Sequence, residues 1–116
     1  MRLDKKKILG EAKGYFATKG YSDQSYGLAE ECVDLGQKWL DTHKKNFGEF
    51  VQKDKSQMRG ELKQFIKERV NYDAHNTTFI PTFIWMWILS TVISWIITKI
   101  LENIMDKIDS DDNKYL

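Results

Sequence analysis

Twenty residues, FIPTFIWMWILSTVISWIIT from Phe79 to Thr98, pass without a charged side chain in a chain that is 30% Asp, Glu, Lys and Arg. As a helix rising ~1.5 Å per residue, such a stretch spans about 30 Å, the hydrocarbon thickness of a bilayer. Within it, Phe83 to Leu89 is an unbroken apolar run with two tryptophans, and it shows every face of a helix. Something apolar must surround that run on all sides. What surrounds it decides what the rest of the chain can be.

Lipid is the leading expectation. Ten Ile, Leu, Phe and Val residues contribute about −3 to −6 kcal/mol of insertion free energy. Five Ser/Thr residues and Pro81 subtract from it, and no ionised group adds its penalty of ~3 kcal/mol. Phe79, Phe83, Trp85 and Trp87 sit toward one end as an interfacial belt, and Lys99 closes the other as a snorkelling anchor; Trp95 lies deep in the span. The membrane-span residues are therefore Phe79, Phe83, Trp85, Trp87, Ile88, Leu89, Ile93, Trp95, Ile96 and Ile97. The residues before Phe79 offer only narrow apolar stripes, which their own helices need, so the expected surroundings are acyl chains and sister helices.

A competing pattern runs through the same stretch. Ser90, Ser94, Thr98, Glu102 and Asp106 recur every four residues, with Thr91 adjoining, and the opposite side is Leu, Val and Ile. Read in lipid, Ser90, Thr91, Ser94, Thr98 and Glu102 are helix-packing positions, worth about 0.5–2 kcal/mol per contact, or the lining of a wet pore. Read in water, they are the polar face of a long amphipathic helix that bundles in an oligomer. All of these imply self-association.

The first seventy residues read as helical. Ile8, Leu9, Ala12, Tyr15 and Phe16 keep three-and-four spacing among lysines, and Gly20 is placed to end that helix in a left-handed turn, with Ser22 or Asp23 capping the next. Leu28, Cys32, Leu35 and Trp39 form a second stripe, and Met58, Leu62, Phe65, Ile66 and Val70 a third. Residues 26–70 are one interrupted helix or two, with a break favoured near 42–46 or 53–56. The fold class is all-α: a small N-terminal helical hairpin or bundle over 1–73, a linker at 74–81, a single transmembrane helix at 79–98 continuing as an amphipathic helix to about 108, and an acidic tail at 109–116.

Charge and chemistry narrow the function by exclusion. Residues 1–73 carry fifteen Lys/Arg against twelve Asp/Glu, and residues 99–116 three against five. That imbalance is too small for a nucleic-acid surface. Basic residues flanking the span (Arg59, Lys63, Lys67 and Arg69 before it, Lys99 and Lys107 after) place the N-terminal domain in the cytoplasm by the positive-inside bias. His43 and His75 are read as lone surface histidines without metal-ligand spacing, and Glu30, Glu31 and Asp34 as a solvated face. Cys32 lies on the second apolar stripe and reads as a small buried residue. No catalytic residue, metal site, cofactor or small-molecule substrate is assigned.

The expected partners are the bilayer, further copies of the chain, and a protein recruited by the N-terminal domain. The layout resembles that of small single-span phage lysis or membrane-perturbing proteins, with a helical cytosolic head and a short charged tail; the resemblance is one of layout alone. The reading is of a non-enzymatic single-pass membrane protein that self-associates and assembles or perturbs a membrane, as a pore or otherwise. A membrane-tethered adaptor and a soluble structural subunit, for example of a virion, are the alternatives.

Overall fold

In the computed structural model of the chain, residues 2–20, 23–42, 55–75 and 80–115 are described, the last of them with side chains as far as Lys107. Most of these residues are helical, and among them there is no strand. Helix α1 runs Lys5–Lys19, α2 Asp23–Thr42, α3 Lys55–Arg69 and α4 Thr82–Tyr115, with a 3₁₀ turn at Asp73–His75 between the last two. The all-α expectation holds.

Local chemistry sets the helix ends. The Asp4 carboxylate accepts the Lys7 N–H at 3.2 Å and satisfies one of the free donors at the start of α1. At the other end Gly20 takes the left-handed conformation (φ 70°), and its N–H bonds back to the carbonyls of Phe16 and Ala17. A side chain there would be strained, so this is where glycine is needed. The expected cap at Ser22 lies outside the described residues. Pro81 immediately precedes α4, and its carbonyl accepts the N–H groups of Ile84 and Trp85, both at 3.0 Å.

The helix directions follow from which residues meet. Leu3 N–H donates to Gln37, Lys5 pairs with Asp34 at 2.9 Å, and Lys13 sits over the Tyr26 ring, so α1 and α2 are antiparallel. Asp4 N–H donates to Asn103 and Tyr15 stacks on Trp95 at 4.9 Å, which makes α1 antiparallel to α4 as well. Arg59 reaches Thr98 and Trp85 reaches Tyr72, so α3 also opposes α4. The four described helices form an up-down-up-down bundle. It measures 52 × 26 × 19 Å, the long dimension matching the 34 residues of α4, about 51 Å.

One core serves all four helices. Ile8, Ala12 and Phe16 of α1, Leu28, Cys32 and Val33 of α2, and Met58, Leu62 and Ile66 of α3 are buried against Leu89, Ile93, Ile96, Ile97, Ile100 and Ile104 of α4. Gly36 marks a close approach of α2 to α4: a Cβ there would stand 2.9 Å from the Ile100 Cδ1.

This arrangement corrects one expectation. The N-terminal residues do wrap the apolar helix from Trp85 to Ile104, although their stripes looked too narrow for it. Three stripes converge on one axis, and α4 needs cover over only part of its circumference because its Ser/Thr/Glu line faces outward. The described part of α4 up to Ile104 therefore packs against α1, α2 and α3. Its helix also continues to Tyr115, beyond the point near 108 where the apolar pattern stops. As for residues 26–70, α2 ends at Thr42 and α3 begins at Lys55, while 43–54 are not described.

Candidate functional site

A 26-residue stretch of α4, Thr82–Lys107, is long and apolar enough to cross a membrane, and 44% of an 18-residue window within it is buried by the rest of the chain. That burial is unevenly spread. Trp85, Leu89, Ile93, Ile96 and Ile97 are buried; Ile88 and Trp95 are half-buried. Phe83 is 77% exposed, Trp87 64%, Met86 55% and Ile84 39%. Phe79 lies outside the described residues.

The neighbouring helices explain where cover ends. Helix α1 meets Trp95 through Tyr15 and Phe16 and terminates one turn later at Lys19, so it does not reach the start of α4. Helix α3 stops at Arg69, and the chain turns away through the 3₁₀ segment. Among the described residues the Trp85 side remains covered there, and its indole N–H donates to the Tyr72 carbonyl at 3.3 Å. The face that carries Ser90 and Ser94 further along the helix carries Phe83 and Trp87 at this end. An outer surface built of hydroxyls thus becomes aromatic over its first two turns.

The polar line is bound within its own chain. Thr98 donates to the Ser94 carbonyl at 3.0 Å and accepts from Arg59 Nη1 at 2.9 Å; Thr91 donates to the Trp87 carbonyl at 3.0 Å. Such back-bonding satisfies a hydroxyl without a second helix. Ser90, Glu102 and Asp106 are exposed, and Ser94, Thr91 and Thr98 are half-buried. Lys99 bridges Glu102 on its own helix and Glu11 on α1, each at 3.4 Å. The line is the outer seam of the bundle, bordering α3 through Arg59.

Several polar contacts were hidden from sequence reasoning. His75 is not a lone surface residue: its Nε2 meets the Glu31 carboxylate, and the other Glu31 oxygen accepts the Asn71 N–H at 3.0 Å. Together with Trp85 and Tyr72, these bonds fasten the connection that leads into α4. Glu31 and His75 are 44 residues apart, and no spacing rule links them. The supposed acidic face is partly used up, since Asp34 pairs with Lys5. His43 lies outside the described residues.

Cys32 is fully buried, and burial pushes its thiol up to about 12, with Glu31 adding in the same direction. A thiol held neutral is a poor nucleophile. Among the described residues no group of His, Cys, Asp and Glu is arranged to hold a metal ion. Comparison with family models, with curated proteins and with solved structures returned no match.

Proposed function

We propose that the protein is a non-enzymatic, helical membrane-associating protein carried to the bilayer by α4. The observation that supports this reading is the combination within one helix of span length with first two turns in which Phe83, Ile84, Met86 and Trp87 are exposed. A helix whose only role was to fill a soluble core would present polar residues where cover ends, as this one does from Ser90 onward.

Magnitudes favour the closed bundle at the membrane over an isolated span. Withdrawing α4 would bare Ile8, Phe16, Leu28, Leu62 and Ile66, all now buried, at roughly 1.5–3 kcal/mol each. That cost, about 8–15 kcal/mol, exceeds the insertion gain of about 3–6 kcal/mol. A span would need its three companion helices to find new apolar surroundings. Pore lining is disfavoured on the same geometry, because Thr98 is engaged by Arg59 and the seam borders α3.

The test is flotation of detergent-free, full-length protein with lipid vesicles, which the reading expects to float. A second reading, a soluble structural subunit, is favoured by the burial of Leu89–Ile104 within one chain. It expects a monodisperse species that ignores vesicles.

A further inference from the structure

We infer that Phe83, Ile84, Met86 and Trp87 form a bilayer-docking tip, used by the closed bundle while Leu89–Ile104 stays packed against α1–α3. The inference rests on the membrane reading above and adds the place and the conformational state of contact.

Shape comes first. At 100° per residue the four side chains cover roughly 160° of the helix circumference, so the surface is convex. A protein partner would have to supply a matching groove, whereas acyl chains conform to any apolar protrusion. Size points the same way. With the exposures given above, the four side chains offer on the order of 500 Å², within the range of a monomer's largest apolar patch, which is often functional. A self-standing interface with a second copy needs about 800 Å² per partner. Composition agrees, since tryptophan and phenylalanine favour the boundary between headgroups and hydrocarbon.

Electrostatics contributes little. Among the described residues at that end of α1–α3, Arg69 pairs with Glu68 at 3.4 Å and lies over the Phe65 ring, Glu31 meets His75, and Lys19 lies over the Tyr15 ring. The net charge of the chain is +1. Docking is therefore apolar and requires neither anionic lipid nor low salt.

The experiment uses the full chain and neutral phosphatidylcholine vesicles, with flotation at low and high salt. Cys32, fully buried in the core shared with α4, reports on opening through its rate of maleimide labelling. The wild type should float equally at both salt concentrations. A Phe83→Ser/Trp87→Ser variant should lose at least about tenfold in partitioning, while Trp87→Phe retains it. Cys32 should label as slowly on vesicles as in solution.

Three results would overturn the inference yet leave a membrane role standing: a double variant that floats like the wild type, Cys32 labelling that accelerates on vesicles, or a requirement for anionic lipid. Two would assign the tip elsewhere. A lipid-free dimer abolished by the double substitution gives it to a second copy, and a lowered melting temperature in that variant gives it to the chain's own core. A wild type that floats with no vesicle composition removes the membrane reading and this inference together.

Discussion

The two ends of the apolar stretch of α4 resemble one another in sequence and differ in surroundings. Phe83–Trp87 and Leu89–Ile104 are both rich in large apolar side chains, yet the first is largely bare and the apolar face of the second is buried against three neighbouring helices. The contrast shows that hydropathy measures what a helix could be dissolved in, while the lengths of its neighbours decide what it is dissolved in. Helices α1 and α3 have 15 residues each and α4 has 34, so part of α4 had to extend beyond them.

Substitution in each region breaks the comparison most directly. Ile100→Ala removes a side chain with 0% exposure and should cost about 2–5 kcal/mol in a urea titration, whereas Phe83→Ala should stay within about 0.5 kcal/mol. Equal losses would mean that the tip is part of the core.

The next effect is read at alkaline pH. The Cys32 thiol is raised from an ordinary 9.0 to about 12 in the folded state, so between those values the unfolded chain releases a proton that the folded chain retains. Stability should be fully present below pH 9 and should fall as pH rises, by up to about 1.4 kcal/mol per unit. Cys32→Ala should flatten that slope in thermal melts. An unchanged slope would place the titration elsewhere.

Smaller effects sharpen the account of the seam between α3 and α4. Thr98→Val removes the acceptor of the Arg59 hydrogen bond and should cost about 0.5–1.5 kcal/mol by denaturant titration. If instead it stabilises the protein, the hydroxyl is not needed by the closed bundle. Gly60, on α3, has open space where a Cβ would sit, so Gly60→Ala should raise stability by about 0.5–1 kcal/mol through helix propensity alone. A loss would reveal a neighbour at that position.

Much of the fold was legible. The stripes at Ile8–Phe16, Leu28–Trp39 and Met58–Val70 each became the buried face of a helix, Gly20 ended α1 as its position suggested, and the start of α4 fell directly after Pro81. These are local or periodic signals, fixed by backbone sterics and by the 3.6-residue repeat. The candidate site was half legible. The aromatic cluster at Phe83–Trp87 stood out by composition, yet nothing in it told Trp85 from Trp87. One donates to Tyr72 in the bundle and the other faces outward. That difference depends on where α1 and α3 stop in space, and His75–Glu31 is likewise a contact between distant positions.

By itself the sequence determined the helices, their apolar faces and the presence of one stretch greasy enough for lipid, because those properties follow from side-chain type and spacing. Only the tertiary structure decided that the stretch fills its own bundle over most of its length and emerges at one end. Whether an apolar face is satisfied depends on three other helices arriving at it together, and that is a property of packing which no single segment carries.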